Sequence, residues 1–269
     1  MCSAASDTPR KNAAGLLAAI GSSGNTTHLL VVSGRKLVLK IYGAKSPRLT
    51  YAWRFFLHKA GLPQPIEYRS AWERRDFERC VLQRWKAKGY LVPNIVTSLF
   101  PDSIGVPHLF LEHIRGETIG MLLAQEGFPC AHHVLKRLFA EMEARHRSAL
   151  ANNEGCLCHV DANARNIIVV GDVAFHVDFE MGRPWEHPVA WACRENLKLL
   201  VSLCEIATGE ERQQILTLFR TSYRLPAVLA EMRRGVTGRR WQTIQQWRDR
   251  QKKAHSPGKV TLYDIVAAL

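Results

Sequence analysis

The stretch His159-Val160-Asp161-Ala162-Asn163-Ala164-Arg165-Asn166 decides the fold of this chain, together with Asp178-Phe179-Glu180, which begins twelve residues after Asn166. As a pattern, the two pieces read H-x-D-x4-N and D-F-E. Between them lie two short apolar runs, residues 167–170 and 173–177. Such runs, separated by a turn, favour a β-hairpin, so we expect a hairpin to bring the two ends of the pattern together.

The polar residues of this pattern are of the types that phosphoryl transfer requires. Such a site needs one carboxylate that orients the attacking hydroxyl, and an amide and a second carboxylate that hold magnesium. Asp161, Asn166 and Asp178 supply these three groups. The pattern therefore predicts a phosphoryl-transfer site. The alternative is a surface turn whose polar residues share no role.

The length and composition are those of an ordinary globular protein. Apolar residues make up 46% and charged residues 23% of the 269 positions, enough for one domain or two tightly packed lobes. We expect no membrane-spanning helix, because no run of eighteen apolar residues is present. Residues 1–11 are polar, and the apolar stretch 13–20 is too short and interrupted for a secretory signal. A cytoplasmic protein is the expectation.

Seven cysteines are scattered along the chain. Cys156 and Cys158 are separated by one residue, which is not a zinc-ligand spacing, and no second pair stands at a suitable distance. We therefore expect buried or incidental thiols in a reducing compartment.

A formal net charge of +13 predicts attraction to an acidic partner. Nucleic acid, an anionic membrane surface and a phosphorylated glycan all fit, and a basic surface that only keeps the protein in solution is the remaining alternative. The C-terminal tail concentrates this charge, with Trp241 and Trp247 interleaved among the basic residues Arg233, Arg234, Arg239, Arg240, Arg248, Arg250, Lys252 and Lys253. These tryptophans suit base stacking, a membrane interface or packing against the helical part of the chain.

A small loop followed by two strands is predicted near the N-terminus. The runs 28–32 and 37–42 read as strands joined by a turn at residues 33–36. Small residues at a hairpin mouth can offer backbone N–H groups to phosphates. Such residues precede the first strand: Gly21, Ser22, Ser23 and Gly24.

We expect Lys40 to have an acidic partner on the helix that follows. A cation inside a run of Val, Leu and Ile is seldom buried alone, although an edge-strand lysine in solvent is the alternative. Residues 72–87 show helical periodicity, with one face carrying Phe77, Cys80, Val81 and Trp85. Glu78, near the middle of this helix, is the expected partner; Glu73 and Asp76 are alternatives.

The remaining chain is predicted to be mainly helical. Residues 108–116 read as a strand that runs into a turn, and we expect its exposed backbone to border an adenine ring, with Glu112 in the nucleotide site. Residues 51–60 form an amphipathic piece. A long helix over 131–150 leads to His159, and another helix follows over 191–207.

The order and approximate spacing of the polar residues resemble the protein-kinase-like superfamily over about residues 20–220, through Lys40, Glu78, Asp161, Asn166 and Asp178. The resemblance implies an α+β fold of two lobes, with ATP and magnesium as cofactors. It implies an N-terminal extension (1–20), an N-lobe with a small antiparallel sheet and a nucleotide-binding hairpin (21–115), and a mainly helical C-lobe with the catalytic loop and the basic tail (116–269).

The same resemblance assigns roles residue by residue. Asp161 resembles the aspartate that orients the substrate hydroxyl, and His159 resembles the histidine that buttresses the catalytic loop. Asn166 and Asp178 resemble the two magnesium ligands. The nucleotide-binding set is implied to be Gly21, Ser22, Ser23, Gly24, Lys40, Glu78 and Glu112, with Lys40 on the phosphates and held by Glu78; Lys40 also counts as catalytic.

Four departures from the regulated protein kinases point to the atypical branch of the superfamily. Position 160 is Val instead of arginine, and the metal motif ends in Glu180 instead of glycine. No A-P-E sequence follows, and the usual glycine-rich pattern is replaced by Gly21-x-x-Gly24. These features are similar to aminoglycoside, choline, RIO-type and lipopolysaccharide-core sugar kinases.

Within that branch, the short chain and the basic surface favour a lipopolysaccharide-core sugar kinase. An anionic glycolipid or sugar would be the acceptor, with peripheral contact at the inner face of a membrane. A RIO- or KEOPS-type kinase or ATPase acting with RNA or a ribonucleoprotein is the alternative. A pseudokinase scaffold is a third hypothesis.

Overall fold

The computed structural model describes residues 25–43, 70–97, 105–181, 187–237 and 259–269. Its N-terminal part contains an antiparallel three-stranded sheet of β1 (Thr26–Val32), β2 (Arg35–Ile41) and β3 (His108–Glu112), in that order. The turn between β1 and β2 has positive φ angles at Ser33 (50°) and Gly34 (76°), which suits a tight hairpin. The two predicted strands and the turn between them are therefore confirmed.

Lys40 lies on the central strand of this sheet. It is paired with Thr27 on β1 and with Leu109 on β3, and it is only 7% exposed. Because side chains alternate along a strand, Lys40 points to the face opposite to Leu39 and Ile41. The alternative of a solvated edge-strand lysine is therefore wrong.

Helix α1 spans Ala71–Ala87 and begins with a capping box. The Ser70 hydroxyl accepts a hydrogen bond from the backbone of Glu73, and the Glu73 carboxylate accepts one from the Ser70 N–H at 2.6 Å. The predicted apolar face is partly wrong, because Cys80 is exposed and Leu82 is buried instead. The buried face carries two charged residues among the apolar ones: Arg74, Glu78, Val81, Leu82 and Trp85.

Helix α2 (Ile119–Ala151) is longer than the predicted segment 131–150 and is kinked. Gly127 has a positive φ of 77°, and Pro129 follows two residues later. The Phe128 N–H beyond the kink donates to the Glu211 carboxylate at 2.8 Å. This side-chain partner satisfies a backbone donor that a straight helix would have satisfied itself, so the two segments remain nearly continuous.

A second three-stranded antiparallel sheet follows the first, with strands β4 (Glu117–Thr118), β5 (Ile167–Val170) and β6 (Val173–His176). The hairpin predicted from the apolar runs is confirmed as β5 and β6. Its open end is closed by a hydrogen bond of 3.0 Å from the Val177 N–H to the Asn166 carbonyl. The hairpin therefore brings the end of the first motif next to the start of the second.

The rest of the described chain is helical: α3 (Pro188–Ile206), α4 (Gly209–Ser222), α5 (Pro226–Thr237) and α6 (Leu262–Ala268). Helix α3 begins earlier than the predicted 191–207 because Pro188 occupies its first turn, where proline is accommodated. Helices α2, α3 and α4 pack around the main core, whose largest fully buried apolar side chains include Trp85, Leu135, Phe139, Met142 and Phe219.

The protein is thus α+β, with a small antiparallel three-stranded sheet in its N-terminal part and a mostly helical remainder. None of the helices in the described ranges has the length and apolar character needed to cross a bilayer. The six cysteines within those ranges are free thiols; Cys158, Cys193 and Cys204 are buried.

Several predicted features lie outside the described residues. They are the N-terminal extension 1–20, the loop 21–24, the amphipathic piece 51–60 and, in the basic tail, Arg239, Arg240, Trp241, Trp247, Arg248, Arg250, Lys252 and Lys253.

Candidate functional site

Three charged side chains from distant parts of the chain meet beside β2, and we name Lys40, Glu78 and Asp178 the lysine cluster. The Lys40 ammonium lies 2.6 Å from the Glu78 carboxylate and also contacts that of Asp178. The side chains of Lys40 and Glu78 are 8% and 1% exposed, whereas that of Asp178 is 36% exposed. The cluster is therefore closed on the α1 side and accessible at Asp178.

The structure selects Glu78 from the three predicted partners of Lys40. The Glu73 carboxylate caps α1, and that of Asp76 is bound by Arg75. Burial alone would lower the pKa of Lys40, but the charges of Glu78 and Asp178 outweigh it and hold the pKa above the usual value. Lys40 is therefore charged at neutral pH.

Glu78 is held from both sides. Its Oε2 accepts a hydrogen bond from the Tyr42 hydroxyl at 2.6 Å as well as from Lys40, and its Oε1 accepts one from the Phe179 N–H at 3.2 Å. Tyr42 lies two residues after Lys40, so both side chains point to the same face of the extended chain. The sequence analysis placed Tyr42 in a strand but not among the site residues, although this alternation could have suggested it.

Asp178 has an unusual backbone conformation, with a positive φ of 70°. Its carbonyl accepts a hydrogen bond from His159 Nε2 at 3.1 Å. Positive φ is uncommon for residues other than glycine and is retained where surrounding contacts enforce it. Here those contacts come from Lys40 on the side chain and from His159 on the backbone.

The segment His159–Asn166, which we call the motif loop, folds around one carbonyl. The Asp161 carbonyl accepts hydrogen bonds from the side-chain amides of Asn163 at 3.1 Å and Asn166 at 3.0 Å. The Ala162 N–H donates to the His159 carbonyl at 3.0 Å. Since Asn166 uses its amide nitrogen within the loop, its side-chain oxygen is the atom left for a ligand.

One face of α3 holds the motif loop at three points. The Glu195 carboxylate accepts from the His159 N–H at 2.6 Å, Lys198 forms an ion pair with Asp161, and the Ser202 hydroxyl accepts from the Ala164 N–H at 2.9 Å. Spacings of three and four residues place Glu195, Lys198 and Ser202 on one helical face. Sequence reasoning missed all three residues, although their helical spacing was visible.

Beneath the motif loop lies a second group of charges, and we name Arg145, His146 and Glu195 the arginine cluster. All three side chains are fully buried. Arg145 makes a fork of 2.5 and 3.0 Å to both Glu195 oxygens, and His146 Nε2 lies 2.8 Å from Glu195 Oε2. Burial would raise the pKa of Glu195, but Arg145 and His146 hold it well below its usual value. Glu195 is therefore an anion inside the core.

His146, Cys158 and Glu195 also place potential metal-ligand atoms within 4.8 Å of one another. A cation would have to compete with the guanidinium of Arg145, which already binds both oxygens of Glu195. The His146 Nε2 is likewise engaged with Glu195. The charge that a metal would supply is therefore provided by arginine, and the group is structural.

His159 is buried among aromatic rings and is neutral. Its ring centroid lies 4.4 Å from that of Phe179 and 6.4 Å from that of Trp85. Burial, with His176 as a further contributor, lowers the pKa of His159 to about 4. Because His159 Nε2 donates to the Asp178 carbonyl, this neutral ring supports the backbone of the D-F-E segment.

The prediction of a free backbone edge on β3 is wrong for the strand itself. The Val96 N–H donates to the Phe110 carbonyl and the Glu112 N–H donates to the Asn94 carbonyl, both at 2.8 Å, so a short neighbouring segment covers this edge. The Glu112 side chain is bound by Asn94. The turn at 113–116 follows directly and remains the part of this segment that could border a ring.

The final residue of the D-F-E segment also reaches α1. Glu180 forms an ion pair of 2.9 Å with Arg74 and contacts Asn25, the first described residue after the predicted loop at 21–24. Neither Arg74 nor Asn25 was singled out in the sequence. Arg74 could have been recognised from its position on the apolar face of the predicted helix, because a buried arginine needs an acidic partner.

Of the predicted site residues, the described part of the chain brings together His159, Asp161 and Asn166 in the motif loop, and Lys40, Glu78 and Asp178 beside it. The Glu112 side chain is bound by Asn94, and Gly21, Ser22, Ser23 and Gly24 are outside the described residues. The arrangement offers one buried cation, two carboxylates accessible in part and an amide oxygen. No protein-family model matches the chain, and no curated protein matches it as a relative.

Proposed function

We propose that this protein is an ATP- and magnesium-dependent phosphotransferase with a bilobal protein-kinase-like fold, which moves the γ-phosphoryl group to a hydroxyl. The observation that carries the proposal is the unbroken series of contacts from Lys40 through Asp178 and His159 to the loop that holds Asp161. These contacts connect the residues that supply a cation, two carboxylates and an amide oxygen. Phosphoryl transfer depends on such positioning and charge neutralisation, since the protein supplies no covalent chemistry.

On the nucleotide side, Lys40 would neutralise the α- and β-phosphates. Its ammonium is fixed by Glu78, and Glu78 is fixed in turn by Tyr42 and the Phe179 N–H. A cation held in this way loses little conformational freedom when an anion binds, because the protein has already ordered it. The Asp178 end of the cluster is the accessible one, and it is the end at which phosphates would enter.

The residues present fit magnesium. Mg²⁺ prefers hard oxygen ligands and is usually held by one or two carboxylates together with substrate phosphates. The Asp178 carboxylate and the side-chain oxygen of Asn166 are such ligands, and the β5–β6 hairpin links their positions through the Val177–Asn166 hydrogen bond. Bound there, magnesium would neutralise negative charge that develops on the phosphoryl oxygens.

On the acceptor side, Asp161 would orient the hydroxyl and take its proton as the oxygen–phosphorus bond forms and the bond to the departing nucleotide breaks. Its carbonyl is pinned by Asn163 and Asn166, so the orientation of the residue is set by the loop. Its carboxylate is 21% exposed and bears one cation, Lys198. A hydroxyl can therefore reach the carboxylate from solvent.

A lipopolysaccharide-core or related sugar is the acceptor that we favour, carried on an anionic glycolipid that the protein meets from the cytoplasm at the inner face of a membrane. Only residues 179–187 separate Asp178 from α3, which leaves little chain for a long regulatory segment. The net charge of +13 suits an anionic glycolipid surface, and it equally suits RNA or a ribonucleoprotein, the partners of the RIO- or KEOPS-type alternative.

The test is transfer of label from γ-labelled ATP with magnesium into glycolipid, protein and RNA–protein fractions of host cells. We expect Asp161→Ala to lower transfer about 10²–10⁴-fold, the range for loss of a general base. Asp172→Ala is the matched control, because Asp172 is a 69% exposed carboxylate on the turn of the β5–β6 hairpin. The control should retain full transfer.

Each outcome separates the hypotheses. Label in glycolipid that depends on Asp161 supports the sugar kinase, and label in one protein band or in a ribonucleoprotein fraction supports the alternative. Equal transfer by Asp161→Ala and wild type would show that Asp161 is not the catalytic carboxylate. A wild-type protein that binds nucleotide and transfers no label to any acceptor would fit a pseudokinase.

A further inference from the structure

The buried face of α1 presents two charges of opposite sign, Arg74 and Glu78, one helical turn apart. The D-F-E segment presents two carboxylates, Asp178 and Glu180, at alternate positions. Glu78 reaches Asp178 through the shared ammonium of Lys40, and Arg74 reaches Glu180 directly at 2.9 Å. Helix and segment are thus joined by two rungs, which we call the lysine rung and the arginine rung.

The arginine rung is buried and binds more than its ion-pair partner. Arg74 is 4% exposed and Glu180 is 7% exposed. The Arg74 guanidinium also donates to the Asn25 side-chain oxygen at 2.7 Å and to the Gly43 carbonyl, and the Asn25 amide donates to Glu180. One arginine therefore ties together α1, both ends of the β1–β2 hairpin and the D-F-E segment.

The contacts of Arg74 lie next to both the predicted loop at 21–24 and the lysine cluster. Asn25 directly follows the predicted loop at 21–24, and Gly43 follows Tyr42, whose hydroxyl binds Glu78. The Arg74 guanidinium lies 5.9 Å from the centroid of the Tyr42 ring, and the Lys40 ammonium lies 5.3 Å from the same centroid. The two rungs therefore share Tyr42, and a shift of α1 that broke one rung would strain the other.

The arginine rung explains why position 180 carries a carboxylate. A glycine there would leave the Arg74 guanidinium buried without its carboxylate, which is costly. A buried ion pair contributes little net stability compared with apolar residues of similar size, because both charges must lose water. The planar guanidinium of Arg74 donates in fixed directions, so it does restrict the relative position of α1 and the D-F-E segment.

We propose that Arg74 and Glu180 are positioning residues that hold α1 and residues 178–180 in register, so that the lysine cluster stays assembled without an activating event. The pair acts through Glu78 and Asp178. Asn25 extends the same restraint to the start of β1. The expected effect on nucleotide binding rests on the proposed function, whereas the restraint on α1 and residues 178–180 does not.

The experiment compares amide hydrogen exchange in the wild-type protein and in Arg74→Met/Glu180→Leu, which replaces both charges by apolar side chains. Because such a replacement is often neutral for folding, the variant should keep its unfolding midpoint. We expect loss of exchange protection at residues 25–32 and 178–181, with α3 and α4 unchanged. Affinity for a fluorescent ATP analogue with magnesium should fall about 10- to 100-fold, the range for outer partners of metal ligands.

Two further variants keep the test decisive. Arg84→Gln is the matched control, because Arg84 lies on the same helix and forms an exposed pair with Glu154 away from the site; its exchange and affinity should equal those of wild type. Arg74→Lys keeps the charge but has no planar fork to span three partners. Arg74→Lys should lose part of the exchange protection at residues 25–32. If Arg74→Met/Glu180→Leu does not fold, the exchange of Arg74→Lys alone tests the proposed restraint.

Unchanged protection at residues 25–32 and 178–181 in the apolar pair would overturn the inference. Protection lost with full nucleotide affinity would show a purely structural pair and would also overturn the positioning role. A wild-type protein that binds no ATP analogue would instead overturn the proposed function, and the exchange comparison would then decide the restraint on its own.

Discussion

The lysine cluster and the arginine cluster are both built from buried charges, and they differ in what they leave open. Arg145, His146 and Glu195 are fully buried, and the nitrogen and oxygen atoms of their side chains are bound to protein partners. Lys40 and Glu78 are almost as buried, but the third member of their cluster, Asp178, keeps 36% of its side chain exposed. One cluster is saturated and the other has an accessible side.

This difference assigns the two clusters different tasks. A saturated cluster can only hold structure, and the arginine cluster does so by fixing the His159 N–H and the Leu157 carbonyl at the start of the motif loop. A cluster with an exposed carboxylate next to a fixed cation can receive a ligand. Loss of charge should therefore lower the free energy of unfolding in the first case and impair ligand binding in the second.

The largest effect is expected for Arg145→Met. Removal of the guanidinium leaves the anion of Glu195 buried without its fork, and loss of one partner of a buried pair costs about 3–5 kcal/mol. Chemical denaturation measures the change in the free energy of unfolding. Arg147→Met is the control, because Arg147 lies on the same helix in an exposed pair with Glu143. A loss no larger than that of the control would mean that the arginine cluster does not carry the fold.

Lys40→Met should keep the fold and impair nucleotide use. Burial raises the pKa of Glu78, so this carboxyl can become protonated once the ammonium is gone, and the Tyr42 hydroxyl still binds it. Phosphoryl transfer at low ATP should fall about 10²-fold, as for loss of one charge-stabilising group. Steady-state kinetics measure it, with Lys36→Met, an exposed lysine on the same strand, as control. If Lys40→Met unfolds, the lysine cluster is needed for the fold as the arginine cluster is, and the proposed difference between them is wrong.

The pH dependence of stability should follow His159, the buried histidine whose backbone N–H binds Glu195. The folded pKa of His159 is about 4, below its ordinary value of 6.5, so on acidification the unfolded chain takes up the proton first. The contribution of neutral His159 to the free energy of unfolding is complete above pH 6.5 and is lost as the pH falls toward 4. The free energy of unfolding should therefore fall by about 2 kcal/mol between pH 7 and pH 5. Denaturation at these two pH values measures it; His159→Asn should have a smaller loss, and an equal loss would contradict the assignment.

The smallest effect is expected for Lys198→Met. Lys198 is 45% exposed and Asp161 21% exposed, so their ion pair is screened and worth about 1 kcal/mol, or roughly a fivefold change. The change should appear in kcat for transfer while the KM for ATP stays constant, since Lys198 binds the carboxylate that we propose to orient the acceptor. Lys198→Arg should restore the rate. A change confined to the KM for ATP would place Lys198 on the nucleotide side.

The lysine cluster shows how far local pattern could reach. The apolar run around Lys40 predicted a strand and a buried cation, and helical periodicity predicted α1 to within one residue of its start. The choice among Glu73, Asp76 and Glu78 depended on other contacts of the first two residues. The Glu73 carboxylate caps the helix, and the Asp76 carboxylate is bound by Arg75. Rotation of α1 about its axis likewise turned Cys80 outward and Leu82 inward.

The kink in α2 shows a second limit. Gly127 and Pro129 disfavour a continuous helix by local propensity, and the predicted helix began only at residue 131. In the fold, the Glu211 carboxylate from α4 accepts from the Phe128 N–H. A partner more than eighty residues away satisfies the backbone donor at the break, and the helix continues on both sides.

The sequence by itself determined strands β1 to β3, helix α1, most of α2 and α3, the β5–β6 hairpin and the set of residues in the two motifs, because these follow from side-chain periodicity and from the chemistry of neighbouring positions. Only the tertiary structure decided that α3 holds the motif loop through Glu195, Lys198 and Ser202, and that Arg74 binds Glu180. Those contacts join residues far apart in the chain. They exist because packing of the core brings particular helix faces against particular loops, and the one-dimensional pattern carries no record of that choice.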